Sequence, residues 1–262
     1  MSTAHKTAPR PTPAHDPDVA GAPGAEVRRM FARIAPTYDR LNHLLSAGRD
    51  RAWRRLVAES LPRNARDVLD LCAGTGDLAL EITRRRKTSR VIAADFCHEM
   101  LVGGRAKGLQ QVASPTVCDA MQLPFADATF DAVTVAFGVR NFERVDLGLA
   151  EIQRVLRPGG TLAVLEFFRR QSRWRELPFR VYFQHVLPRV GRWVSGDAEA
   201  YSYLPRSVGQ FVTRREFGAL LEGATFGPPH FHELTGGIAT LVVARASQTA
   251  AAGSLDAVGR TH

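Results

Sequence analysis

The stretch "VLDLCAGTGDLALEI", Val68 to Ile82, carries an apolar run onto Gly74-Thr75-Gly76 and opens a helical pattern directly after it. A strand that turns on glycines into a helix is a place where backbone N–H groups can cradle a nucleotide. The chain on either side has the matching texture. Strand candidates rich in Val, Leu, Ile, Ala and Phe fall at 67–71, 90–96, 115–120, 131–137 and 160–168, and helical stretches at 77–87, 97–108 and 145–157 lie between them. Such alternation predicts an α/β, doubly wound, mainly parallel sheet with right-handed crossovers. Upstream, 26–61 has apolar residues at helical spacing broken at Pro36 and Gly48, which predicts a flank of two or three short helices. Downstream, a helical 213–225 is followed by two β-type runs joined at Gly236-Gly237, which predicts an antiparallel C-terminal hairpin.

With 262 residues, one domain over 26–245 is expected. The start, 1–25, is rich in Ala, Pro and Thr without an apolar core, and reads as a disordered arm rather than a secretory signal. Residues 246–262 read as a disordered tail. No apolar run approaches the roughly 20 residues of a spanning helix, because Arg, Asp or Pro cuts each one. Cys72, Cys97 and Cys118 lack the spacing of a disulfide or zinc framework, so buried, reduced cysteines in a cytoplasmic protein are expected. The formal charge of +9 is spread thinly, and its one tight run, "RRRK" at 84–87, reads as a solvated helix end. No signature of a nucleic-acid-binding module is present, so nucleic acid is not expected as a partner.

The glycine turn suits two cofactors. Gly74 to Ala79 satisfies the dinucleotide fingerprint, with Asp95 at about the distance of a ribose-binding acid. Asp70, four positions before Gly74, discriminates. A carboxylate at the mouth repels a pyrophosphate, whereas it attracts the ammonium and sulfonium of S-adenosylmethionine. Asp95 ends the second strand, where it can accept ribose hydroxyls, and Asp119 with Ala120 ends the third, within reach of an adenine edge. A single strand-end Asp commonly just caps the next helix. Three such acids at successive carboxyl ends, where open sheets bind ligands, favour the methyl donor.

On these residues the middle of the chain resembles the class I S-adenosylmethionine-dependent methyltransferases, with a Rossmann-like sheet. Its flanks resemble the quinone-biosynthesis C-methyltransferase family, which acts on demethylmenaquinol and ubiquinol precursors. The match is carried by "MFARIAPTYDRLNHLLSAGRDRAW" (30–53), "LDLCAGTGDLA" (69–79), "LPFADATFDAVTVAFGVRNF" (123–142), "RVLRPGGTLAVLEF" (154–167) and "GDAEAYSYLPRSV" (196–208). The resemblance implies donor contacts at Thr75, Asp95, Asp119 and Ala120. The chain departs from the family pattern at Ala136, where a serine is common, at Asp50, where many members have His, and at Phe168, where a serine is common.

The resemblance also implies chemistry on the reduced ring, because a hydroquinone is electron-rich enough to attack an activated methyl. The enzyme must orient that ring and stabilise the oxyanion that develops beside the attacking carbon; no metal is needed. Arg140 suits the oxyanion role, since a guanidinium stays protonated. Asn141 can orient a hydroxyl, and Tyr38 can position a proton, with Asp39 and Asn42 nearby and His43 as a secondary titrator. A prenyl tail needs a dry groove. The segment 173–193, within a helical lid or insertion at 173–208, interleaves Arg with Trp, Phe and Tyr. A lid, a peripheral contact with the inner face of the membrane, a homodimer face and a cover over the core all stand as readings of it. A nicotinamide-linked oxidoreductase, a methyltransferase with another acceptor, and a non-catalytic donor-binding assembly member are the rival functions.

Overall fold

Seven strands form one sheet: β1 (Asp67–Leu71), β2 (Arg90–Asp95), β3 (Ser114–Val117), β4 (Phe130–Ala136), β5 (Leu156–Glu166), β6 (His230–Leu234) and β7 (Ala239–Arg245). The computed structural model describes residues 24–87, 89–169 and 198–248. The strand order is β3-β2-β1-β4-β5-β7-β6. The first five strands pair in parallel, and β7 runs antiparallel between β5 and β6. The expected doubly wound sheet and C-terminal hairpin are both present. The order reverses between β1 and β4, so a crevice opens beyond their carboxyl ends.

Both faces of the sheet are covered, as a parallel sheet requires. Alternation along β1 sends Leu69 and Leu71 into one cluster, with Phe130, Leu149, Ile152 and Phe217. Val68 points the other way, into a cluster with Trp53, Val57, Leu78 and Ile82. Helices α1 (Gly24–Ile34), α2 (Tyr38–Leu45) and α3 (Arg49–Ser60) form the flank, broken near Pro36 and at Gly48 as the sequence predicts. Helix α1 begins two residues inside the stretch read as an arm. The crossovers carry α4 (Asp77–Arg85), α5 (His98–Gly103), α6 (Leu109–Val112) and α7 (Val145–Val155), and α8 (Ala198–Gln210) and α9 (Arg214–Gly223) precede the hairpin.

Several expectations shift. The helix foreseen over 97–108 stops at Gly103, and a tight turn over Gly104–Lys107 follows. A Cβ on Gly104 would sit 2.9 Å from the Thr75 carbonyl, so this turn packs against the glycine loop. The third strand stops at Val117, short of Asp119 and Ala120, because Asp119 instead bridges to Gln122. The "RRRK" run is more than a solvated end. Arg86 donates to the carbonyls of Ala58 (2.9 Å), Pro62 (2.8 Å) and Leu61 (2.5 Å), satisfying the open end of α3. Arg84 and Arg85 pair with Glu81. All three cysteines are free, but only Cys97 is fully buried. Phe168 lies among Phe211, Phe217 and Phe231 in the core rather than at a pocket wall. The segment 173–193 lies outside the described residues, as do most of the two tails.

Phe217 is fully buried at the centre of that aromatic group, so Phe217→Ala should cost about 3–5 kcal/mol in urea unfolding. Leu147→Ala, at a side chain 46% exposed, should change stability by less than about 0.5 kcal/mol.

Candidate functional site

The crevice is built from the loops after β1, β2 and β4. Gly74 (φ 56°) and Gly76 (φ 81°) hold the left-handed conformations that turn β1 into α4. Of the six described residues with side chains that share that conformation, Cys72 (φ 57°) and Phe137 (φ 59°) lie at the ends of the adjacent strands β1 and β4. Backbone strain of this kind persists where the surroundings over-determine it, and it gathers at binding sites. Gly138 lets the two loops touch, since a Cβ there would fall 2.4 Å from the Cys72 Cβ.

Asp95, 5% exposed, holds the loop from the side. One carboxylate oxygen accepts the Gly74 N–H at 2.8 Å and the other the Cys97 N–H at 2.9 Å. Burial pushes its carboxyl up to about 6, although the Cys97 and Gly74 amides pull the other way. Asp70 stands below the loop rather than at its mouth. It is 1% exposed and accepts from the Thr134 hydroxyl at 2.8 Å, and its second oxygen is buried without a partner among the described residues. Burial lifts this carboxyl to about 7, against the Thr134 bond. At neutral pH its charge is therefore partial, and the repulsion argued for a pyrophosphate falls more heavily on Asp95. Asp119 is exposed and closes a local turn by accepting the Met121 N–H at 2.9 Å, while Ala120 is buried.

The helical flank is wired into the loop. The Tyr38 ring lies over Gly74, its Cε1 3.7 Å from where a Cβ would stand. Burial raises the Tyr38 phenol, with Asn42, Arg140 and Arg54 opposing. The Thr75 hydroxyl donates to Asp39 (2.5 Å) and accepts from Lys107 (2.8 Å), and Lys107 also pairs with Asp39 (2.8 Å) and Asp77. Arg54 joins Asp77 (3.4 Å) to Asp50, which accepts from Ser46 (2.7 Å) and has the His43 Nδ1 at 2.7 Å. Burial would raise Asp50, but Ser46, His43 and Arg54 hold its carboxyl below the usual range. His43, Asp50 and Asp77 offer ligand atoms within 4.8 Å of one another, yet the Arg54 guanidinium already spans the two acids. The cluster reads as an ion-pair network, and His43 belongs to it.

Arg140 and Asn141 sit in the turn after β4. One guanidinium nitrogen of Arg140, Nη1, donates to the Phe137 carbonyl (2.6 Å) and to Glu166 Oε1 (2.8 Å). The pair is deeply buried, at 7% side-chain exposure for Arg140 and 0% for Glu166. Asn141 Oδ1 accepts from the Tyr203 hydroxyl at 2.9 Å. The fields of Tyr203 and Tyr38 both act on Arg140, so Tyr38, Arg140, Asn141 and Tyr203 share one neighbourhood. Phe31 packs edge-on against both Tyr38 and Tyr203. Glu166, Tyr203 and Lys107 were not singled out from the sequence. A lone acid closing the apolar run "TLAVLE" was the one signal available for Glu166. Ala136, at the last position of β4, offers no hydroxyl.

The model of the ubiE/COQ5 methyltransferase family matches residues 20–245. A demethylmenaquinone methyltransferase of Deinococcus radiodurans is 47% identical over 223 residues, covering 84% of this chain and 92% of its own length. The ubiquinone/menaquinone biosynthesis C-methyltransferase UbiE of Rubrivivax gelatinosus is 39% identical over 231 residues, covering 87% of this chain and 90% of its own. Among solved structures the [4+2]-cyclase SpnF superposes with a TM-score of 0.65 at 19% identity, over 86% of this chain and 98% of that one. That likeness is one of fold alone, and a cyclase on the same scaffold illustrates how chemistry is set by the site. The chain belongs to the ubiE/COQ5 methyltransferase family and is a methyltransferase built on the class I fold.

Proposed function

We propose that this methyltransferase transfers the methyl group of S-adenosylmethionine to a ring carbon of a prenylated quinol, with demethylmenaquinol as the acceptor. The observation that carries the reading is the pairing, across the β1/β4 crevice, of a glycine loop held by Asp95 with the buried guanidinium of Arg140 and the half-buried amide of Asn141. The names of the relatives favour the same acceptor, and the Rubrivivax relative's name makes a ubiquinol precursor the second reading.

The residues present fit the donor. Gly74 and Gly76 let the loop take its tight left-handed turn, Asp95 keeps lone pairs beyond the two it spends on amides, and Asp70 adds a partial negative charge beneath the loop. Asp95 is assigned the ribose hydroxyls, with Thr75 and Gly76 lining the loop. Asp119 and Ala120 are assigned the adenine side through the exposed turn. When bound, S-adenosylmethionine supplies a methyl group activated by its sulfonium. The chain's own residues must hold the reduced ring in line, and must stabilise negative charge on the ring oxygen as the carbon attacks. Arg140 and Asn141 are assigned that oxygen, and Tyr38 closes the site over Gly74. The alternating Arg and aromatic residues of 173–193 support a peripheral contact with an anionic membrane, where a prenylated acceptor resides.

Incubation with labelled S-adenosylmethionine and chemically reduced demethylmenaquinone should label the ring. Donor binding without labelling would overturn the acceptor assignment. Asp95→Ala should weaken donor binding at least tenfold, whereas Arg140→Ala should leave it unchanged and slow turnover by about 100-fold or more. Isothermal titration and single-turnover rates separate the two.

The raised carboxyls of Asp70 and Asp95 give donor binding and stability opposite pH trends. Their protonated forms are favoured in the folded state, so the apo protein gains stability as pH falls from 8 to 5. Asp70, moving from about 3.8 unfolded to about 7 folded, contributes about 2–3 kcal/mol of that gain, which Asp70→Asn should abolish in urea unfolding. Donor affinity should instead fall below about pH 6, as Asp95 takes its proton. Co-sedimentation with anionic vesicles at low salt should carry the protein into the pellet, and full recovery in the supernatant would remove the membrane contact.

A further inference from the structure

The mechanism leaves two polar groups unassigned, Glu166 and the Tyr203 hydroxyl. Each engages part of the hydrogen-bonding capacity of a residue assigned to the ring oxygen. Both Nη1 hydrogens of Arg140 are spent, one on the Phe137 carbonyl and one on Glu166. The Nε–H is left buried and without a partner among the described residues. The donors that remain unspent are this Nε–H and the Nη2 hydrogens on the other edge of the guanidinium, a fork suited to an oxyanion. Glu166 is itself fixed by the Phe167 N–H at 2.8 Å and the Arg140 N–H at 3.4 Å, so it does not wander. At Asn141 the carbonyl oxygen accepts from Tyr203, which leaves the amide hydrogens as what the side chain can offer.

We propose that Glu166 and Tyr203 are positioning residues of the acceptor site: Glu166 fixes which edge of the Arg140 guanidinium faces the ring oxygen, and Tyr203 holds the Asn141 amide so that its donors, and not its oxygen, face it. The inference rests on the assignment of Arg140 and Asn141 to that oxygen. A donor-only wall stabilises charge as it forms but cannot take the ring proton. Glu166 also offsets the charge of the guanidinium, which tempers the pull on a hydroxyl that has not yet ionised. Binding of the neutral quinol is then distinguished from stabilisation of the charged transition state.

The two residues act in opposite electrical senses, and that separates positioning from mere support of the fold. The probe is 4-nitrophenol, whose colour reports ionisation, titrated in the presence of S-adenosylhomocysteine. The wild-type site should lower its ionisation midpoint relative to free solution. Glu166→Gln keeps the shape and removes the counter-charge, so the midpoint should fall further, by about half a pH unit or more. Tyr203→Phe frees Asn141 to turn its oxygen inward, so the midpoint should rise. Single-turnover methylation by Tyr203→Phe should slow roughly tenfold at unchanged donor affinity. Glu166→Asp, which retains the charge, should keep the wild-type midpoint and covers the case in which the Gln variant fails to fold. The inference is overturned if Gln and Phe variants move the midpoint the same way, if neither moves it, or if the wild type leaves it unshifted. A wild type that shifts the probe yet methylates no reduced demethylmenaquinone or ubiquinol precursor defeats the substrate reading and leaves this one standing.

Discussion

A single buried carboxylate holds the crevice in shape. Asp95 ties the glycine loop after β1 to the start of α5, spending one oxygen on each. Charge-assisted bonds of this kind contribute about 1.5–3 kcal/mol each, set against the cost of burying the charge. The balance is visible in the carboxyl itself, which sits near 6 rather than near 4. Without that clasp Gly74 would lose the bond that keeps its left-handed turn pressed against Tyr38 and Met100. The donor site, the closing aromatic and the register of α5 all hang on the same side chain.

The flank depends on a second constraint, the packing of two cations among three acids. Lys107 and Arg54 are shared by Asp39, Asp77 and Asp50, which come from α2, α4 and α3. Asp50 and Arg54 pair within α3, but Asp39 on α2 and Asp77 on α4 are compensated only when Lys107, in the turn after α5, and Arg54 are brought to them. Breaking one member strands its partner in a poorly hydrated place, which costs more than the pair itself contributes. Thr75 lies inside this network as well as in the glycine loop, so the flank is a structural part of the donor site.

Most of the architecture was legible because it is written in short-range signals. Strand texture, the glycine turn and the breaks at Pro36 and Gly48 each act within a few residues. The reading went astray where long-range packing decides. Asp119 was placed at a strand end, but the edge strand β3 stops two residues earlier and the acid folds into its own turn. Asp70 was placed at the mouth, and the side-chain alternation of β1 instead sends it beneath the loop against Thr134. Arg140, Asn141 and Tyr38 were named as a group, and the structure does bring them together. The residues that orient them, Glu166 and Tyr203, come from β5 and α8, and no spacing along the chain announces contacts of 26 and 62 residues in separation.

Trp53 on α3 and Thr235 beside the C-terminal hairpin are joined by a hydrogen bond of 2.9 Å, 182 residues apart in the chain. During synthesis Trp53 emerges long before its partner, and β5 has no outer neighbour until β7 arrives beside it. The contacts that close the flank over the glycine turn, Tyr38 on Gly74 and Asp39 with Thr75 and Lys107, come from the first half of the chain. A nascent chain stalled short of the hairpin would therefore carry the donor loop already covered, with the indole of Trp53 unanchored and one edge of β5 unpaired.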